Sequence, residues 1–370
     1  MANNNDKKVL NVPDLRFPEF SGEWVETELQ DIVPNICSGK DRISNSGEVA
    51  LYGSTGVIGR TNSASYKENI VLVARVGANA GQMQIGNAPC GVTDNTLVID
   101  AKEWNYYIYY FLQHYNLNRL VFGSGQPLIT GGMLKRIKVR YGCKAERNNI
   151  TRLLCLIDER IATQNKIIEK LESLIKGIYS SILWKDYRLV SLSEIFIERN
   201  ERTTTNNQYQ VLSSTAKGLY RQSDYFDKEV ASANNVGYKV LRLGDIVLSP
   251  QNLWLGNINY NDAFKIGIVS PSYKVFSIRE GYNPYYVSCF LKTPKALYEY
   301  ANASEQGASV VRRNLDVNAF MAICFPMPNR IMQDRISERV RAINMKLDIE
   351  KQVFEKLNIE KQYLLRQLFI

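Results

Sequence analysis

The sequence predicts a mixed α/β protein made of two tandem, similar domains, each followed by a long α-helix. The two helices are expected to pair as an antiparallel coiled coil about a pseudo-twofold axis. Three observations predict this. Short motifs recur in one order in both halves of the 370 residues, each half alternates short apolar runs with Gly-rich turns, and each half ends in a heptad-patterned stretch.

The recurrence comes first. Trp24-Val-Glu-Thr-Glu-Leu-Gln-Asp-Ile32 is answered by Tyr187-Arg-Leu-Val-Ser-Leu-Ser-Glu-Ile195, with Leu29, Asp31 and Ile32 matched by Leu192, Glu194 and Ile195. Tyr52-Gly-Ser-Thr55 is answered by Leu212-Ser-Ser-Thr215, Asn69-Ile-Val-Leu72 by Asp245-Ile-Val-Leu248, and Phe111-Leu112 by Phe290-Leu291. The period far exceeds the 20 to 50 residues of a solenoid repeat, so each copy is a whole domain plus a helix. The expected boundaries are 1–145 and 187–330 for the domains, with helices in 146–186 and 331–370. The polar opening Met1–Lys8 is expected to fray.

Within the first half, Ile70–Val73, Thr96–Ile99 and Ile137–Val139 read as strands bounded by Gly, Asn and Asp turns. Tyr106–Leu120 carries apolar residues at three- and four-residue spacing and reads as a helix. The second half repeats the plan, with strands at Ile246–Leu248, Tyr273–Phe276 and Ile323–Phe325 and a helix over Tyr285–Tyr300. After each half the period changes. Leu154, Ile161, Ile168, Ile175 and Ile182 fall seven apart, with Ile157, Gln164, Leu171 and Ile178 three residues later. Val340, Leu347, Phe354, Lys361 and Leu368, with Ile343, Glu350, Leu357 and Leu364, repeat the pattern. This is an a/d seam, in which Gln164 and Glu350 are polar at the same repeat position.

Composition narrows the function classes. The net charge of +9 is spread along the chain, and with 22 Tyr it is compatible with a DNA-tracking surface. The cysteines at 37, 90, 143, 155, 289 and 324 form no Cys-x-x-Cys, and the single His114 sits among aromatics, so no metal site is expected. Scattered thiols point to a reducing cytoplasm. No apolar run approaches the roughly 18 to 20 residues of a membrane span, so no membrane partner is expected.

Catalytic machinery is equally absent from the motifs. A DNA amino-methyltransferase needs an Asp/Asn-Pro-Pro-aromatic loop, and Asn283-Pro-Tyr-Tyr286 lacks the second proline; it reads as a turn opening a helix. Asp94 with Asp100-Ala-Lys102 imitates the acidic spacing of a metal-dependent nuclease, but the second half has no counterpart, and solvated strand ends are the better reading. No phosphate-binding Gly-Lys-Ser/Thr loop is present, and one histidine in an aromatic stretch makes no nucleophilic triad. No catalytic residue and no cofactor are expected.

Taken in order, Phe17-Pro-Glu-Phe-Ser-Gly-Glu-Trp24, Leu29-Gln-Asp-Ile32, Ile58-Gly59, Ile70-Val-Leu-Val-Ala-Arg-Val-Gly77, Gly123-Ser-Gly-Gln-Pro127 and a terminal helix resemble one target-recognition domain of the specificity subunit of type I restriction-modification systems. Leu192-Ser-Glu-Ile195, Gly244-Asp-Ile-Val-Leu-Ser249 and Gly256 resemble a second, with a less regular Glu305-Gln-Gly-Ala308 replacing the Gly-Ser-Gly-Gln loop. The resemblance covers essentially the whole chain. It implies a non-catalytic, cytoplasmic subunit that reads a split, asymmetric site in duplex DNA, binds two methylation subunits and, in the full complex, restriction subunits. The helices would set the gap between the half-sites.

Base reading uses Arg or Lys on guanine and Asn or Gln on adenine, with Ser and Thr less selective. By residue type and loop position the candidates are Ser54, Thr55, Arg60, Arg75, Asn79, Gln82 and Gln126 in the first half. In the second they are Ser214, Thr215, Lys217, Tyr220, Arg221, Gln251, Asn252, Trp254, Asn257, Arg312 and Arg313. Arg312-Arg313 is the leading phosphate candidate and Gln251-Asn252 the leading base-reading pair. The competing function is a coiled-coil scaffold or adaptor whose domains bind protein rather than DNA.

Overall fold

A computed structural model of the protein describes residues 11–33, 35–121, 127–183, 185–225, 234–306 and 312–370. The chain divides into two compact units, Met1–Lys166 with Glu350–Ile370, and Ile167–Ile349. Compactness thus cuts across the two long helices, Lys144–Leu183 and Arg330–Gln367, and gives each unit a segment of both.

The first unit contains β1 (Val25–Glu28), β2 (Ile36–Ser38), β3 (Val49–Gly53), β4 (Gly56–Thr61), β5 (Ile70–Ala74), β6 (Met83–Gly86), β7 (Cys90–Val92), β8 (Thr96–Ile99) and β9 (Lys138–Tyr141). An antiparallel sheet runs in the order β2-β8-β5-β6. A second sheet, β4-β3-β7, pairs a hairpin with β7 in parallel, and β1 pairs with β9. All five residues of β5 are buried, because the strand is covered on both faces. Val71 and Val73 point into the main core with Leu97, Ile99 and the helix Asn105–Tyr115, whereas Ile70 and Leu72 point into a smaller cluster with Tyr52, Cys90, Val92 and Val98. Each such fully buried aliphatic side chain contributes about 1.5–3 kcal/mol, which explains why the strand reads as an uninterrupted apolar run.

In the second unit the strands are β10 (Leu189–Ser191), β11 (Phe196–Arg199), β12 (Leu212–Thr215), β13 (Gly218–Arg221), β14 (Lys239–Arg242), β15 (Ile246–Leu248), β16 (Ile258–Tyr260), β17 (Ile266–Val269), β18 (Lys274–Ile278), β19 (Ser304–Gln306), β20 (Arg313–Leu315) and β21 (Cys324–Pro326). The sheet β11-β18-β15-β16 repeats the four-stranded sheet of the first unit. Ile246, Leu248 and Phe276 enter the main core, and Val247 and Val275 join Leu212, Leu241 and Val269 on the other face.

These faces correct the sequence match by one residue. Aligning Asn69–Leu72 with Asp245–Leu248 sets Ile70 against Ile246, yet Ile70 faces the small cluster and Ile246 the main core. The equivalent of Val247 is Leu72, because a one-residue slip exchanges the two faces of a strand. Two helix expectations also change. The helix expected over Tyr106–Leu120 stops at Tyr115, where Asn116 takes a left-handed conformation (φ 59°) and a 3₁₀ turn, Leu117–Leu120, follows. The helix expected over Tyr285–Tyr300 is two, Pro284–Phe290 and Pro294–Asn302; the Thr293 hydroxyl accepts from Ala296 N at 3.2 Å and Pro294 opens the second. Asn283 caps the first by accepting from Tyr286 N at 3.0 Å, so Asn283–Tyr286 does open a helix.

The heptad residues form the buried stripe of the long helices. Leu154, Ile157, Ile168, Val340, Leu347 and Leu364 are buried, and Ile161, Leu171, Ile175, Ile178, Ile343, Phe354 and Leu357 are half-buried. Within the first unit, Asp158 pairs with Lys361 at 2.6 Å, while Gln164 bonds both the carboxylate and the carbonyl oxygen (3.1 Å) of Glu350. Partner numbers fall along one helix as they rise along the other, so the helices pack antiparallel. Leu364, Leu365, Leu368 and Phe369 run on into the main core of that unit, where Phe369 packs on Tyr107, Phe111 and His114 at centroid distances of 5.4, 6.1 and 5.8 Å.

Candidate nucleic-acid interface

The central strand of each unit ends in a loop of the same length and closure. In the first, Arg75-Val-Gly-Ala-Asn-Ala-Gly81 leaves β5 and returns at Gln82, with Ala74 N donating to Gln82 O at 2.8 Å. In the second, Pro250-Gln-Asn-Leu-Trp-Leu-Gly256 leaves β15 and returns at Asn257, with Ser249 N donating to Asn257 O at 3.0 Å. Gly81 and Gly256 close the loops at φ 90° and 86°, a left-handed conformation that glycine adopts without steric cost. Between equivalent anchors the side chains differ throughout.

In the first unit, the Asn95 carbonyl accepts from Arg75 N at 3.0 Å and from Ser54 Oγ at 3.1 Å. This joins the β3–β4 turn to the Arg75–Gly81 loop and brings Ser54, Thr55 and Arg75 together at one end of the sheet, with Asn79 and Gln82 in the same loop. Thr55 and Gln82 are exposed; Ser54, Arg75 and Asn79 are half-buried. Arg75 Nη1 donates to Ser38 Oγ at 3.3 Å, and its Nε is buried without a hydrogen-bond acceptor among the described residues. Arg60 does not join the group. It sits opposite Ala50, five residues beyond Thr55 along β4, and donates to Glu48 O at 2.6 Å. Gln126 lies outside the described residues.

The second unit turns two candidates inward. Ser214 Oγ donates to Asn257 Oδ1 at 2.7 Å and accepts from Asn259 Nδ2 at 2.7 Å, Asn257 Nδ2 donates to Ser214 O at 2.9 Å, and Lys292 Nζ donates to Asn259 Oδ1 at 2.7 Å. Ser214 and Asn257 are buried, so their polar groups fasten the β12–β13 hairpin to β16 rather than face solvent. Thr215 shapes the turn, accepting from Lys217 N at 3.1 Å and donating to Gly218 O at 3.2 Å; Tyr220 donates to Lys217 O at 3.4 Å. Lys217 and Arg221 are exposed. In the Pro250–Gly256 loop Gln251 is exposed and Asn252 and Trp254 are half-buried, and the Arg313 guanidinium lies 4.4 Å from the Trp254 ring centroid. Arg312 is exposed.

Residues 21–173 match the family model of the type I restriction modification DNA specificity domain. That stretch carries the type I restriction-modification specificity domain. The crystal structure of a type I restriction-modification system S subunit from M. genitalium is similar over 97% of this chain and 99% of that one, at 17% identity and a TM-score of 0.66, so the two chains share a fold. The HsdS subunit from Thermoanaerobacter tengcongensis aligns with 94% of this chain and 96% of its own at 12% identity and a TM-score of 0.40. No curated protein matches the chain in sequence.

Sequence reasoning about this specificity domain missed one basic cleft in the first unit. Arg119, Arg136, Lys138 and Arg140 line about 420 Å³ with His114 and Tyr115, opposed among the described acidic side chains by Glu26 alone. Glu26 pairs with Lys138 at 2.8 Å and Arg140 at 2.9 Å, which lowers its pKa. The available signal was Lys138-Val-Arg140, since alternate residues of a strand share a face; Arg119 is too distant in sequence to have been grouped with it. Asp100 and Lys102, by contrast, form a solvated ion pair at 2.8 Å, with Glu68 3.7 Å from the same ammonium. Among the described residues no three His, Cys, Asp or Glu side chains converge on a metal position, and no helix is long and apolar enough to cross a membrane.

Proposed function

We propose that this chain is the non-catalytic DNA-specificity subunit of a type I restriction-modification complex. Each unit reads one half of a bipartite, asymmetric duplex site, and the chain positions two methylation subunits and, in the full complex, restriction subunits. The observation that carries this reading is the pair of equal loops after β5 and β15, closed alike and filled differently. A duplicated scaffold with divergent side chains at one equivalent place is what two dissimilar half-sites require. Arg75 and Asn79 offer one donor and acceptor pattern, Gln251, Asn252 and Trp254 another. The net charge of +9 supplies the sequence-independent attraction to phosphates.

The test is to co-express the chain with its methylation subunit and map methylated bases genome-wide, alongside transfer of labelled methyl groups to duplex DNA in vitro. We expect one split motif that depends on this chain, and no transfer by the chain alone. Methylation by the isolated chain, or a motif unaffected by its removal, overturns the proposal. In the same assay one heptad added to each long helix lengthens it by about 10 Å and should widen the gap by up to roughly 3 base pairs with both half-sites retained. An active complex with an unchanged gap would show that the helices are not the ruler.

A further inference from the structure

The two arginines of Arg312-Arg313, alike in sequence, are held in opposite ways. Arg312 precedes β20 and is exposed. Arg313 is fixed from three directions. Its backbone is paired in β20 opposite Gln306 of β19, its guanidinium lies 4.4 Å from the Trp254 ring centroid, and its Nη1 donates to Ala301 O at 3.3 Å. Trp254 belongs to the loop closed by Gly256, and β20 lies against that loop, so the arginine is mounted on the segment that carries Gln251 and Asn252.

A phosphate can be contacted from many directions by a swinging cation, whereas reading a base edge requires a donor fork held in one plane. An arginine laid on an aromatic face and tethered at one nitrogen has lost the freedom that a phosphate contact does not require anyone to lose. We propose that Arg313 is a specificity-determining residue that reads a guanine O6/N7 edge in the half-site of the second unit, with Trp254 as its platform, while Arg312 contacts phosphate. This rests on the DNA-reading function proposed above and assigns one base type to one side chain.

The experiment is the methylation map of the full chain co-expressed with its methylation subunit, for the wild type, Arg313→Ala, Arg313→Lys and Arg312→Ala, with melting temperatures of the purified complexes. The wild-type half-site assigned to the second unit should contain a guanine that becomes degenerate in Arg313→Ala, with every other position kept. Arg312→Ala should keep the motif and reduce the salt dependence of binding. A duplex carrying 7-deazaguanine at that position should bind the wild-type complex about tenfold or more weakly and leave Arg313→Ala binding unchanged. This last comparison needs only one variant and no loss of fold. A half-site without guanine, or an Arg313→Ala map identical to wild type with a lowered melting temperature, overturns the assignment and leaves Arg313 as a tie between β20 and the loop. No chain-dependent motif at all overturns DNA reading, and the assignment with it.

Discussion

Gln84 and Asn259 stand at the same ladder position of the two units, opposite Leu72 and Val247, and both use a side-chain amide to hold the neighbouring hairpin. Gln84 Nε2 donates to Gly53 O at 2.7 Å, and Asn259 Nδ2 donates to Thr215 O at 2.9 Å. The shorter asparagine draws its hairpin into a buried network with Ser214, Asn257 and Lys292. The residue equivalent to Asn257 is Gln82, which stays exposed. One fastening thus has two outcomes. The first unit keeps the polar residues at the end of its loop for solvent, and the second uses them internally and presents Gln251, Trp254 and Arg313 instead. Two copies of a fold need not expose the same polar positions.

The strongest way to break the comparison is to unseat one unit and leave the other. Phe369 is 3% exposed within the first unit's aromatic cluster, and Phe369→Ala should cost about 3–5 kcal/mol. Denaturation followed by hydrogen exchange should show β5 and β8 losing protection while β15 and β18 keep theirs; equal losses would mean that the units do not unfold separately.

Exchanging the loops tests whether they are functional equivalents. Putting Pro250–Gly256 in place of Arg75–Gly81 should alter only the half-site read by the first unit, with about 1–3 kcal/mol of discrimination lost per changed base contact. A methylation map in which both half-sites move would show that the two reading surfaces are not separable.

A smaller, pH-dependent difference should belong to the first unit, because the chain's single histidine lies there. Burial pushes the His114 pKa down, against the opposing effect of the Leu365 carbonyl, 2.8 Å from Nδ1, and with a further lowering by Arg119. The folded unit therefore binds this proton less readily than the unfolded chain. Stability is complete above the unfolded value of about 6.5, falls as pH drops toward the folded pKa, and levels off below it. NMR titration of the one imidazole should give a midpoint below 6.5, and His114→Gln should flatten the stability slope between pH 7 and 5. A midpoint at or above 6.5 contradicts this.

The smallest expected effect sits in the second unit. Gly177 lies inside a long helix, six residues before its end, with open space where a Cβ would be. Gly177→Ala should add about 0.8–1 kcal/mol, measured by denaturant midpoint, without changing the motif.

Much of this architecture was legible because it is written in periodicity. The seven-residue recurrence from Leu154 to Ile182 and from Val340 to Leu368 could belong only to long helices, and the recurrence of motifs declared two copies. Periodicity also misled. The apolar pattern continues through Asn116 and through Thr293-Pro294, where backbone conformation and capping end the helices. The local signals were present but ran against the stronger apolar spacing. Faces were harder still, since Ile70 and Ile246 look equivalent until cross-strand partners show which core each enters. The burial of Ser214 and Asn257 was not legible at all, because it depends on β12 meeting β16 more than 40 residues away. Of the Arg312-Arg313 dipeptide, only the charge could be read; the ring beneath Arg313 comes from a distant loop.

The hydrogen-bonded Gln164–Glu350 pair, buried at 7% and 8% exposure in a mostly apolar seam, has a consequence for inheritance. An apolar stripe alone tolerates sliding, because one leucine serves nearly as well as the next. A buried polar rung is satisfied at one alignment and leaves an amide and a carboxylate among hydrocarbon at the others. Insertions or deletions of whole heptads, made on the same side of the rung in both helices, preserve that alignment; other lengths rotate it out of the seam. The lineage of such a protein can then change its length only in discrete steps, like a vernier with one engraved mark.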